Sequence, residues 1–298
     1  MLAELEHFLL VLREGTFTAA ARAAHLTQPA LSASIARLEE DLGARLFERG
    51  RQGARPTAAG SALVPHARAA IAAVADGRRV VADVEGLHIG EVSFGAGATV
   101  ATYHAPERLA RFRRERPGLT ITMREMPTSA LLERVADGAL DLAVIDQEVP
   151  GFSFSVPRNV ALEDWGDDAF LLVGGPDVDR YEGQPFVTFV RGGATRAALD
   201  HLFPEAKVVV ELSGVAAVKQ HVRQSVGVAL LARSAVADDF ETGRMRSLDH
   251  PAVPVRRTYA MAHRGRERLS PAAAALRASL MAEPPSYAGA GSMARAKR

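Results

Sequence analysis

The chain has 298 residues, no cysteine, and 36 basic against 35 acidic side chains, a net charge of +1. Without cysteine there are no disulfides, thiol nucleophiles or thiolate metal sites. The length suffices for two or three domains with separate cores, and the near-neutral balance singles out no class of partner.

No apolar run reaches the roughly eighteen residues that suggest a membrane span. The opening, Met1-Leu-Ala-Glu-Leu-Glu-His7, is acidic and polar where a secretory leader is basic and then apolar. The expectation is a cytoplasmic protein with no membrane contact. Charge is informative only locally. Residues 1–85 hold ten basic and ten acidic side chains, yet Arg45, Arg49, Arg51 and Arg55 crowd around the single acid Glu48. Such an element can hold phosphates, or it can be a solvated arginine-rich loop.

Leu5, Phe8, Leu9 and Leu12 form one face of a first helix, which Gly15 ends. Thr16 or Thr18 can cap a short second helix over 19–24, and His25-Leu26 make the turn. Thr27 caps a third, with Pro29 in its first turn and Gly43 as its stop. Leu31, Ile35, Leu38 and Leu42 give this helix a buried stripe. The opposite side presents Gln28 and Ser32, short polar groups able to enter a major groove; a plain three-helix bundle fits the same periodicity.

The strings Gly15-Thr-Phe-Thr-Ala-Ala-Ala21, Thr27-Gln-Pro-Ala-Leu-Ser32, Leu38-Glu-Glu-Asp-Leu-Gly-Ala-Arg-Leu-Phe-Glu-Arg49 and Pro56-Thr-Ala-Ala-Gly60 resemble the DNA-binding domain of LysR-type transcriptional regulators. The resemblance implies a winged helix-turn-helix over 1–57, with 46–57 as the wing. It assigns Thr27, Gln28, Pro29, Ser32, Arg37, Arg49, Arg51 and Arg55 to DNA. One departure is Ala33, where the family usually has an arginine. Leu63, Ala67, Ala70, Val74, Val81 and Val84 give a helix over 58–86 a narrow seam of mostly small residues. In the family this linker pairs two chains. Its packing against its own domain is disfavoured, because no nearby helix offers a matching face.

From Gly86-Leu-His-Ile-Gly90, read as a hinge, strands alternate with helices and imply an α/β domain with a largely parallel sheet. Strands are expected at 92–95, 119–125 and 141–145, then at 169–173, 186–189, 207–211, 226–231 and 257–262. Helices are expected at 105–115, 129–136, 195–202, 215–224 and 271–281. Gly95-Ala-Gly-Ala-Thr-Val-Ala-Thr-Tyr103, Gly138-Ala-Leu-Asp-Leu-Ala-Val-Ile145 and Gly227-Val-Ala-Leu-Leu231 are similar to the two-lobed, periplasmic-binding-protein-like effector domain of the same family. A departure is His104-Ala105, where paired leucines are usual. The effector domain is expected over 87–282, with lobe I about 87–160 and 264–282 and lobe II about 161–263; 283–298 reads as a disordered tail.

Ligands of open α/β sheets bind outside the carboxyl ends of strands, where helix N-termini point. That rule selects Thr99, Val100, Thr128, Ser129, Arg191, Thr195, Arg196 and Gly214 for a small anionic effector. Taken singly, each hydroxyl is as readily a helix cap and each arginine a solvated charge. No metal spacing, Gly-x-Ser-x-Gly elbow or phosphate loop appears, so neither catalysis nor a cofactor or metal is expected. The partners expected are double-stranded operator DNA, a small-molecule effector, a second copy of the chain (a homodimer and, as the family implies, a homotetramer) and RNA polymerase. The rival is a solute-binding or enzymatic α/β protein with a fused helical interaction domain.

Overall fold

The computed structural model describes residues 1–48, 53–84 and 90–287. The chain divides into two compact units, one of helices and one of mixed sheet and helix.

The first unit begins with α1 (Leu2–Glu14), closed by Gly15 at φ 71, and α2 (Phe17–Ala23), capped by Thr16, whose Oγ1 accepts from the Ala19 N–H at 3.1 Å. The second helix thus starts two residues before the expected Ala19. Helix α3 (Gln28–Leu42) is capped by Thr27 and closed by Gly43 at φ 64. Leu31, Ile35 and Leu38 meet Leu5, Phe8 and Val11 in one core. Each such buried side chain contributes about 1.5–3 kcal/mol. Leu42, expected in the stripe, is exposed. Phe47 reaches the same core from the wing, its ring 5.4 Å from those of Phe8 and Phe17. The wing strands pair antiparallel through Glu48 N–H to Arg55 O at 2.8 Å and Thr57 N–H to Leu46 O at 2.9 Å.

Thr57 then caps α4 (Ala58–Val84), accepting from the Gly60 N–H at 3.0 Å. The expectation that α4 lacks a partner within its own unit is corrected. Leu63, Val64, Ala67 and Ile71 pack on the core built by α1 and α3, because α1 adds Leu10 to the apolar face of Leu9 and Leu12. Val74 and Val81, farther along, are exposed. By length and composition alone the window Ala58–Ala75 is apolar enough to cross a membrane; alanine and an amphipathic seam account for that.

In the second unit, β1 (Glu91–Ala96), β2 (Thr120–Glu125) and β3 (Leu142–Asp146) are parallel, with a π-helical turn at Val100–His104, α5 (Ala105–Glu115) and α6 (Thr128–Ala136) between them. Two long strands follow this pattern, β4 (Ala161–Gly174) and, later, β9 (Val255–His263). Between them lie β5 (Phe186–Phe189), α7 (Ala194–Leu202), β6 (Val208–Leu212), α8 (Val215–Arg223), β7 (Ala229–Ala232), α9 (Arg233–Glu241) and β8 (Arg246–Ser247); α10 (Pro271–Ala282) comes last. The main sheet runs β2-β1-β3-β9-β4-β7, with β8 on β4; β5 and β6 form a parallel pair joined to it through a Phe186–Val228 bridge.

Strands β4 and β9 pair antiparallel and serve both lobes. Trp165, Tyr259 and Met261 sit in the first lobe's core, whereas Phe170, Leu172 and Val255 pack in the second. Assigning 161–263 wholly to lobe II is therefore corrected: the crossing strands are shared. The first half of β4 and the whole of α9 were not expected.

The disorder expected from Glu283 is corrected as far as Tyr287. The Trp165 Nε1–H donates to Leu280 O at 2.8 Å, Arg108 donates to Glu283 O at 2.7 Å, and the Asp167 N–H donates to Pro285 O at 3.0 Å. Tyr287 N–H donates to Asp167 Oδ1 at 2.6 Å, under the Arg233 guanidinium. The hinge expected at 86–90 lies outside the described residues except for Gly90, as does the tail from 288.

This packing can be tested at two positions. Gly166 lies at φ 112 where β4 bulges, and a Cβ there would collide with the Pro285 carbonyl oxygen. Gly166→Ala is expected to cost about 1–3 kcal/mol in urea unfolding; unchanged stability would contradict the docking of 283–287. Glu163 is opposed by burial, but Arg277, Arg266 and His263 outweigh this and draw its carboxyl from 4.5 down to about 2. Its folded value is depressed, so its contribution is present above pH 4.5 and lost as pH falls toward 2. Glu163→Gln should flatten the stability–pH curve in that window.

Candidate nucleic-acid interface and effector cleft

On the first unit, α3 buries Leu31, Ile35 and Leu38 and turns Gln28, Pro29 and Ala33 to solvent. Ser32 is half-buried and accepts from Gln28 Nε2 at 3.0 Å, so the two form one polar unit on the first turns of the helix. Thr27 is exposed but committed to its cap. Arg37 is exposed and leans to Glu4 at 3.4 Å. Arg55 stands exposed on the second wing strand; Arg49 and Arg51 lie outside the described residues. Ser34, which periodicity alone leaves unassigned, is buried and bonded to His7 Nδ1 at 2.7 Å. The result is a helix presenting an amide and a hydroxyl, with Arg55 exposed on the wing. Those are the groups that read base edges and hold phosphates.

In the second unit, strand register fixes a second site. Ala96 pairs with Glu125, and Ala96 also with Val144. Thr99 and Thr128 therefore sit past the same end of the first-lobe sheet at which β3 finishes with Asp146. In the other lobe Phe189 pairs with Leu212, which puts Val190 and Gly214 at one edge. The two edges face each other: Ala98 and Tyr103 from the first lobe pack with Phe189, Val215, Ala232 and Ala235 from the second.

A charged cluster that the sequence did not reveal lies buried at this junction. Arg257, only 3 % exposed, pairs with Asp146, lies 3.4 Å from Thr99 Oγ1, and is sandwiched by Phe170 and Tyr259. Its Nε has no partner among the described residues. Burial lowers an arginine's pKa, but Asp146 more than reverses this, so the guanidinium stays charged. Burial likewise raises the Tyr259 phenol well above its ordinary value.

Asp168 joins the lobes. It accepts from Ser234 Oγ of α9 at 2.6 Å, and His104 Nε2 of the first lobe lies 3.4 Å away. Burial pushes its carboxyl up, yet the bonds from His104, Ser234 and the Ala169 N–H outweigh that and hold it below its ordinary value.

The expected effector residues divide on inspection. Thr99 and Thr128 are buried beside the cleft edge, Val100 is buried in the first-lobe core, Ser129 and Gly214 are exposed, and Thr195 is half-buried. Arg191 is 76 % exposed and touches Asp200. Arg196 has another occupation. Its guanidinium is buried and shared among Asp200 at 2.8 Å, Glu211 at 2.5 Å and Phe189 O at 3.0 Å, which fastens α7 to β5 and β6. It offers nothing free to a ligand. Among the described residues no group of carboxylates and histidines could hold a metal.

A winged helix-turn-helix on one unit and a two-lobed α/β domain on the other define the class of two-domain DNA-binding regulators. Residues 2–61 match the bacterial regulatory helix-turn-helix protein, lysR family, and residues 85–284 match the LysR substrate binding domain. The chain is 30 % identical to the HTH-type transcriptional regulator CfxR of Cupriavidus necator, over 97 % of this chain and 93 % of that one. It is 28 % identical to the RuBisCO operon transcriptional regulator of Allochromatium vinosum, over 95 % and 96 % of the two chains. A full-length OxyR variant from Pseudomonas aeruginosa shares the fold with a TM-score of 0.68 at 22 % identity, covering 95 % of this chain and 93 % of that one. This chain belongs to the LysR family of transcriptional regulators.

Asp168→Ala would strip the junction of its acceptor and leave Arg257 short of one carboxylate. We expect about 3 kcal/mol of destabilisation by chemical denaturation; a loss below about 1 kcal/mol would show that Asp168 does not hold the lobes together.

Proposed function

We propose that this regulator reads a two-fold operator through Thr27, Gln28, Pro29, Ser32 and Arg37 of the α3 segment and Arg49, Arg51 and Arg55 of the wing. We further propose that a small anionic metabolite switches the arrangement of its DNA-bound copies. The observation that carries the reading is the hydrogen-bonded pair of exposed Gln28 and half-buried Ser32 on a helix anchored from below by Leu31, Ile35 and Leu38. The exposed Val74 and Val81 of α4 support pairing of two chains along that helix. Pairs of dimers, contact with RNA polymerase and a place in the cytoplasm beside promoter DNA complete the proposal.

For the effector, Thr99, Val100 through its backbone, Thr128, Ser129, Arg191, Thr195 and Gly214 are the proposed contacts. Arg257 is already matched by Asp146. Affinity for an anion then rests on hydroxyls, on the N-terminal N–H groups of α6 and α8, and on Arg191 at the rim. A ligand that favours one lobe arrangement shifts the assembly by its difference in affinity for the two.

The name of the A. vinosum relative makes a RuBisCO operon promoter the first duplex to use as probe. Gln28→Ala should relax discrimination at one base pair by about 1–3 kcal/mol. Arg55→Ala should weaken binding to all sequences and lower the salt slope by about one per subunit. If neither variant alters binding by fluorescence anisotropy, the reading head is misplaced. Thermal shift against a panel of small carboxylates and phosphates tests the cleft: Thr99→Val and Thr128→Val should abolish any stabilisation seen with the unmodified chain. A full response in both variants places the ligand elsewhere.

A further inference from the structure

Among the described residues, one α3 side chain, Glu39, receives backbone N–H groups of the first wing strand. Glu39 lies on the last turns of α3, and its carboxylate is buried where its neighbours Glu40 and Asp41 are exposed. Its Oε1 accepts from the Leu46 N–H at 2.7 Å and the Phe47 N–H at 3.4 Å, and its Oε2 pairs with Arg45 at 2.8 Å. Leu46 and Phe47 are themselves buried, so their N–H groups cannot turn to water. Among the described residues Glu39 is the acceptor for both.

The rest of the wing is tied elsewhere. Thr57 Oγ1 donates to Arg45 O at 2.7 Å from the start of α4, and the Ala54 N–H donates to Gly15 O at 2.7 Å at the end of α1. The second wing strand, with Arg55, takes its place from the first through the Glu48–Arg55 and Leu46–Thr57 pairs. An error in the position of Leu46 therefore passes directly to Arg55.

We propose that Glu39 is the positioning residue that sets the wing's distance and angle from the recognition helix, so that base-reading groups and phosphate-holding arginines engage one duplex together. This rests on the DNA-reading function proposed above. Glu39 itself need not touch DNA. Two buried N–H groups left without an acceptor would push the strand toward solvent and detach it from α3.

The test uses the full chain and a duplex selected from random sequence by the unmodified protein. If that protein retains no duplex, the DNA-reading function falls and the role of Glu39 with it. Given a selected duplex, Glu39→Ala should weaken binding by about tenfold and lower the salt slope. Hydroxyl-radical footprinting should show lost protection at the flanks contacted by the wing and retained protection at the bases read by α3. Glu39→Gln keeps an oxygen that accepts from both N–H groups and should restore the flanking protection and most of the affinity. Glu39→Asp, one methylene shorter, should behave like Glu39→Ala and serves if the alanine variant fails to fold. Unchanged affinity and footprint in Glu39→Ala and Glu39→Asp would overturn the proposal. So would an equal loss in Glu39→Gln, or protection lost evenly across the site.

Discussion

A buried arginine between two aspartates at the crossing of β4 and β9 is the constraint on which the effector domain is built. Arg257 and Asp168 are direct partners in strand register, and Asp146 comes to them from the end of β3. A lone charge at this depth is prohibitively costly, so each group requires the others. Phe170 and Tyr259 close the guanidinium off on both faces. Because Asp168 also reaches Ser234 and His104, the same carboxylate that supports the crossing fixes the near ends of both lobes.

The DNA-binding unit follows a different logic. Its core is apolar, assembled from Leu5, Phe8, Val11, Leu31 and Ile35, and Phe47 brings the wing into it. Its polar groups include caps and ties: Thr16, Thr27 and Thr57 begin the helices, Ser34 bonds to His7, and Glu39 receives the first wing strand. Stability and recognition are thus separated by face, with the side that packs leaving the side that reads unencumbered.

Local patterns made much of this legible. Spaced leucines, threonine caps and terminal glycines placed α1, α3 and α4 to within a few residues, and short apolar runs placed β1, β3 and β5. What escaped has a common cause. The first half of β4 reads Ala161-Leu-Glu-Asp-Trp-Gly-Asp-Asp168, too acidic for a buried strand until Arg256, Arg257, His263, Arg266 and Arg277 are brought alongside. Helix α9 escaped because its inward face includes Asp239, fully buried and matched by Lys219, Arg223 and Arg244. Arg196 resembles a ligand group in sequence because its partners, Asp200 and Glu211, are set only by the packing of α7 on the sheet. Periodicity registers apolar faces; it has no means of recognising a charge that is buried because its counterpart arrives from another element.

The absence of a side chain at Gly166 has a consequence for the carboxyl end of the molecule. The backbone of Pro285 enters the space a Cβ would fill, and Tyr287 continues to Arg233 on the far lobe. A segment that looks like an appendage is thereby a rivet: trimming the chain ahead of Tyr287 would remove a tie between the bulge of β4 and α9 while leaving every residue of both lobes in place.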